Sequence, residues 1–76
     1  MNTKLTIEND DIFCGDTFVM TINRLGFIEL TLKNSRLFIN NTFVKEYPSS
    51  DDALSNIKPL MSQLDEEDID YDFSNT

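Results

Sequence analysis

Between residues 3 and 47 apolar side chains recur at every second position in short runs, and Asn, Asp, Gly and Ser interrupt the runs, the pattern of half-buried strands joined by turns. The cleanest run is Phe27 to Lys33, where Ile28, Leu30 and Leu32 face one way and Glu29, Thr31 and Lys33 the other. Strands are predicted over 3–7, 17–23, 27–33, 37–39 and 42–47. Ile12-Phe13-Cys14 extends toward a further short strand before the turn signal Gly15-Asp16, and Phe18, Met20 and Ile22 are expected to share one face. Asn23 to Gly26 reads as a hairpin connection, Lys33 to Arg36 and Asn40-Asn41 as further turns, and Pro48 ends the last strand. No internal repeat is expected, and the runs are assigned to one antiparallel meander of four to five strands.

The period then changes. Ala53, Leu54, Ile57, Leu60, Met61 and Leu64 recur at three- and four-residue steps, and Ser49-Ser50-Asp51-Asp52 is a capping signal, so a helix is predicted over 50–64 with one apolar stripe to cover the sheet. Pro59 falls inside it, at a cost of about 3 kcal/mol in a regular interior, which predicts a kink near Ser55 to Lys58 or two short helices. The expected class is therefore α+β: a single domain over 1–64 with one helical lid, followed by an acidic arm over 65–76.

Charge changes the picture of that arm. Asp65, Glu66, Glu67, Asp68, Asp70 and Asp72 are six of the fourteen carboxylates in a chain of net charge −8. Residues 1–48 hold six acids and five bases, whereas residues 49–76 hold eight acids and a single base, Lys58. From Asp68 to Phe73 the order alternates, with Asp68, Asp70 and Asp72 on one parity and Ile69, Tyr71 and Phe73 on the other, which separates an acidic from an apolar face in an extended chain. Such a segment attracts basic surfaces and disfavours direct contact with nucleic acid or anionic membranes. Tyr71 and Phe73 supply apolar anchors for docking on the domain or on a partner. The candidate partner-binding set is Asp65, Glu66, Glu67, Asp68, Asp70, Tyr71, Asp72 and Phe73.

Catalytic chemistry finds little support. Histidine is absent, so there is no ordinary neutral-pH base, and Gly15 and Gly26 are too few and too far apart for a phosphate-cradling loop. Cys14, the single cysteine, has no neighbouring base to form thiolate and reads as a small core residue in a reducing compartment. Asp68-x-Asp70-x-Asp72 begins like a calcium loop, but Phe73 stands where glycine is required and the closing Glu would lie beyond Thr76. Asp51 and Asp52 are explained by the first helical turn. No cofactor, resident metal, enzymatic activity, export signal or membrane span is expected, and the compartment is read as cytoplasmic.

In size, acidity and missing catalytic set the chain resembles, at the level of class, small acidic phage-encoded inhibitors of the anti-CRISPR and anti-restriction kind that mimic DNA. That resemblance implies a stoichiometric inhibitor occupying the basic, nucleic-acid-binding surface of a host protein, in the bacterial cytoplasm. The alternatives are a homodimeric accessory module that pairs through an exposed sheet edge, with the acids serving solubility, and a weak divalent-cation binder.

Overall fold

A computed structural model describes residues 4–23 and 26–76. Its elements are β1 (Leu5–Glu8), β2 (Asp11–Cys14), β3 (Thr17–Thr21), β4 (Ile28–Lys33), β5 (Arg36–Ile39), β6 (Thr42–Glu46), α1 (Ser50–Glu66) and β7 (Tyr71–Asn75). The class is α+β with one helix packed on sheet, as the periodicities predict. The strands form two sheets, though, not one meander: β1-β2-β3, and β6-β5-β4-β7. Neighbours are antiparallel except β4 and β7, which run parallel. A parallel neighbour needs a crossover, and the β5, β6 and α1 segments supply it.

The expected hairpin at Asn23 to Gly26 does not join paired strands, since β3 pairs with β2 and β4 with β5 and β7. Arg24 and Leu25 of that connection lie outside the described residues, as does Thr3 of the predicted first strand. The segment 65–76 is not an appendage. Its first residues finish the helix and its last ones are a strand of the second sheet.

The two meanders are copies of one pattern displaced by 25 residues, so the expectation of no internal repeat is overturned. From 5–22 to 30–47, Leu5/Leu30, Thr6/Thr31, Asn9/Asn34, Phe13/Phe38, Thr17/Thr42, Phe18/Phe43 and Val19/Val44 are identical. The backbone repeats as well. Both first turns place their central pair at positive φ, Asn9 at 51° and Asp10 at 68°, Asn34 at 51° and Ser35 at 65°, as a tight two-residue hairpin requires. Asn and Asp tolerate that conformation better than other residues with side chains, which is why the turns carry them. Each meander closes with the same amide contact, Ile22 N to Asp10 O at 2.8 Å and Tyr47 N to Ser35 O at 2.8 Å.

A bulge also recurs at the same place. Ile12 pairs with Met20 but Phe13 with Phe18, and Leu37 with Lys45 but Phe38 with Phe43, leaving Val19 and Val44 as the extra residues. An extra residue inverts the alternation beyond it. Phe18 therefore does not share a face with Met20 and Ile22: it lies 54% exposed, edge-to-face with Phe13 at 6.0 Å. Phe43, 53% exposed, meets Phe38 likewise at 5.7 Å.

The inner faces build one core from Leu5, Ile7 and Ile12 of the first meander, Ile28, Leu30, Leu32, Leu37 and Ile39 of the second, and Ala53, Ile57, Leu60 and Leu64 of α1. Ser49 caps the helix through its Oγ, which accepts from Asp52 N at 3.2 Å. The helix is one element of 17 residues, not two, with Pro59 inside it. Buried residues on both sides of the proline, Ile57 before and Leu60 after, anchor the two turns that it would otherwise separate.

Candidate partner-binding edge

The end of α1 is a Schellman turn built on an acidic residue. Ile69 N donates to Leu64 O at 2.9 Å and Asp68 N to Asp65 O at 3.2 Å, with Asp68 at φ 55°. Leu64 and buried Ile69 close the apolar contact that accompanies this motif. Glycine is the usual occupant of the left-handed position, and a side chain there costs conformational energy. Asp65 and Glu66 lie in the last turn, where the helix dipole is negative and cations are favoured, yet that turn holds no basic residue. Three carboxylates thus stand where local physics prefers something else.

From Ile69 the chain enters β7. Ile28 N donates to Asp70 O at 3.0 Å and Thr76 N to Leu32 O at 2.8 Å, fixing the register Ile28–Tyr71, Glu29–Asp72 and Leu30–Phe73. The alternation seen in the sequence becomes two faces. Asp70 and Asp72 are exposed, while Tyr71 and Phe73 are half-buried and pack against the core. Of the two docking sites open to the aromatic pair, their own domain takes them. Asp72 stands beside Glu29, and like charges in cross-strand register are destabilising.

All six acids, Asp65, Glu66, Glu67, Asp68, Asp70 and Asp72, are exposed along the continuous path from helix end to strand. The Tyr71 phenol donates to the Asp65 carboxylate, tying strand to helix. Its pKa is pushed above the usual tyrosine value, first by desolvation, then by the Asp65 charge and this hydrogen bond. Phe27, 56% exposed, lines an open groove of about 350 Å³ with Asp70, Tyr71 and Asp72.

Phe27 and Glu29 belong to this edge and were missed from sequence. Glu29 is visible as an outward position of the alternating strand, but its adjacency to Asp72 follows only from the non-local pairing of β4 with β7. The acids Glu8, Asp10, Asp11 and Asp16 lie instead on the first sheet and its turns. Among the described residues no group of three or more His, Cys, Asp or Glu side chains is arranged to hold a metal, and no helix is long and apolar enough to cross a membrane. Cys14 is half-buried and packs against the core.

No family model matches the chain, and neither a curated protein nor a solved structure matches it.

Proposed function

We propose that this protein is a non-enzymatic, stoichiometric inhibitor that lays its acidic edge on a Lys- and Arg-rich, nucleic-acid-binding surface of a host protein and blocks access of the nucleic acid. The observation that carries this reading is the placement of the acids. Asp65 and Glu66 oppose the helix dipole, Asp68 occupies a glycine position and Asp72 adjoins Glu29. A solubilising tail has no reason to accept these costs on ordered elements, whereas a binding surface does.

Competition follows from electrostatics. Fixed carboxylates on a helix end and a strand replace the phosphates that the target's cations would otherwise hold, with little ordering cost on binding. Long-range attraction speeds encounter, and close carboxylate–guanidinium pairs slow release. Phe27 and the exposed part of Tyr71 supply the apolar contact within the groove.

The test compares the native chain with Asp68→Asn/Asp70→Asn/Asp72→Asn in capture from bacterial lysate at low and high salt, followed by competition with nucleic acid. The expected result is a nucleic-acid-binding protein held by the native chain alone, released by salt, and unable to bind its nucleic acid while held. Equal capture by both chains, or simultaneous binding of nucleic acid, would sink the proposal. A second reading rests on the outer edge of β7. Because Asp70 O and Thr76 N face β4, the alternating backbone groups of Tyr71 and Phe73 face away from it and could pair with a strand of another copy. A tight dimer retained by the triple Asn variant would favour that alternative.

A further inference from the structure

The repeat conserves the aromatic centre of each outer sheet face and inverts the charges around it. In the first sheet Thr6, Phe13 and Phe18 form one cross-strand row, and in the second Thr31, Phe38 and Phe43 form the same row. Lys4 precedes the row in the first meander, where Glu29 precedes it in the second. Glu8 and the adjacent Asp11 follow it in the first, and Lys33 and the adjacent Arg36 in the second. Three charged positions therefore change sign under the 25-residue displacement and a fourth, Thr21/Glu46, is charged only in the second sheet, while Thr, Phe and Phe do not change.

Two surfaces of equal shape and opposite charge pattern are complementary when one is turned over about its strand direction. That rotation leaves positions along the strands unchanged and reverses the strand order. At one end Asp11 on β2 therefore lies over Arg36 on β5, Glu8 on β1 over the β6 side, where Arg36 offsets Glu46, and Lys33 on β4 over the β3 side, while Lys4 lies at the Glu29 end. The Phe pairs meet in the middle. An aromatic centre with a charged rim is the usual anatomy of an interface. Within one chain, Phe18 and Phe43 are each more than half exposed, an unusual placement for the largest apolar side chain of a row. Nothing in folding one copy requires an inverted charge pattern at equivalent positions.

We propose that the outer face of β1-β2-β3 in one copy docks on the outer face of β4-β5-β6 in a second copy. The contact is heterologous, because it joins two different faces, and each molecule keeps one complementary face for a further copy or for ring closure. Arg36 shares its charge with Glu46 at 3.5 Å, so Lys33 provides the more available cation at that end. The contact shares Glu29 with the acidic edge at β7 and none of its other residues, and the residues substituted in its test lie outside that edge, so it stands or falls independently of the inhibitor reading.

Sedimentation velocity on the full chain, from micromolar to near-millimolar concentration, tests it with two charge-reversal variants. Glu8→Lys/Asp11→Lys makes both faces basic at the critical end, and Lys33→Glu/Arg36→Glu makes both acidic. The expected result is concentration-dependent association of the native chain, association at least about tenfold weaker for either variant alone, and recovery in their equimolar mixture. All substituted side chains are exposed or half-buried, and circular dichroism verifies that each variant is folded. A native chain that stays monomeric throughout overturns the proposal, as does a folded variant that associates like the native chain or a mixture that fails to recover. Phe18→Thr provides an independent check: it should weaken association without changing any charge, and unchanged association would also count against the contact.

Discussion

The first and second meanders have the same turns, the same bulge and the same Phe pair, but the outer side of their first strands is completed in different ways. At β1, the side chain of Gln63 meets Ile7: Ile7 N donates to Gln63 Oε1 at 2.9 Å and Gln63 Nε2 donates to Ile7 O at 3.2 Å. At the equivalent Leu32 in β4, the donor role of the Gln63 amide falls to the C-terminal strand, with Thr76 N donating to Leu32 O at 2.8 Å. A primary amide offers one donor side and one acceptor, as a peptide group does, so one helical side chain substitutes for a strand at a single residue. The lesson is that the repeated scaffold leaves an edge to be closed. Closing it with a strand on the second copy of the pattern is what brings Asp70 and Asp72 into fixed positions.

The largest way to separate the two copies lies where Tyr47 takes the place of Ile22. Both side chains are buried, but the Tyr47 hydroxyl has no hydrogen-bond partner among the described residues. Its pKa is pushed up from 10.0 to about 12, by burial first and then by the Cys14 charge. The unfolded phenol releases its proton near 10 while the folded one holds it to about 12, so the folded state binds more protons across that interval. Stability from this group is level below the lower value and falls as pH rises toward the upper one, by at most about 3 kcal/mol. Tyr47→Phe should remove that alkaline decline and, at neutral pH, leave stability equal or higher by about 1 kcal/mol, since an unpaired buried hydroxyl is lost. Urea midpoints of both chains at about pH 9 and about pH 11.5 decide it, and parallel declines would show that another group is responsible.

Next in size is the closure of β1. Gln63→Ala leaves the Ile7 amide and carbonyl without their side-chain partners, at a cost of about 1–3 kcal/mol. Gln63→Glu is the sharper variant, because a carboxylate can still accept from Ile7 N but cannot donate to Ile7 O. Hydrogen exchange at the Ile7 amide should accelerate in Gln63→Ala beyond the global loss of stability, whereas in Gln63→Glu, where the acceptor is kept, it should follow that global loss only, as should exchange at Leu32 in both variants. Unchanged protection at Ile7 in Gln63→Ala would mean that the two bonds contribute nothing and that packing of α1 on β1 closes the edge by itself.

Why one half of this comparison was legible in the sequence and the other was not has a physical answer. Local signals were sufficient for β4, whose alternation is uninterrupted, for the Asn- and Asp-bearing turns, and for the capped helix with its stripe of Ala53, Ile57, Leu60 and Leu64. The bulge was hidden, because Val19 is apolar like its neighbours and only pairing reveals it as the extra residue that turns Phe18 outward. The repeat was masked by sign changes such as Glu8/Lys33 and Asp11/Arg36, which alter composition while keeping an exposed charged position. Parallel pairing of β7 with β4 depends on contacts more than 40 residues apart in sequence, and no local pattern encodes the partner. The acidic edge was thus visible as a segment, but Glu29 and Phe27, which complete it, were not.

The smallest contrast is also the most local. At equivalent positions across the second and third strands, Asp11 accepts from Thr21 Oγ1 at 2.8 Å in the first meander, while Arg36 and Glu46 form an ion pair at 3.5 Å in the second. The Arg36 and Glu46 side chains are 54% and 60% exposed, so solvent screens their attraction and two long side chains lose rotamer freedom. Double-mutant cycles should give that pair a coupling of about 0.5 kcal/mol or less, vanishing at about 1 M salt. The shorter Thr21–Asp11 contact fixes fewer rotors and is a hydrogen bond to an ionised acceptor, so its coupling should be about 1 kcal/mol and persist in salt. If the order were reversed, with the ion pair stronger and insensitive to salt, Arg36 would be held rigidly toward Glu46. It would then be withdrawn from the positive end of the second outer face, and complementarity between the two faces would rest on Lys33 alone.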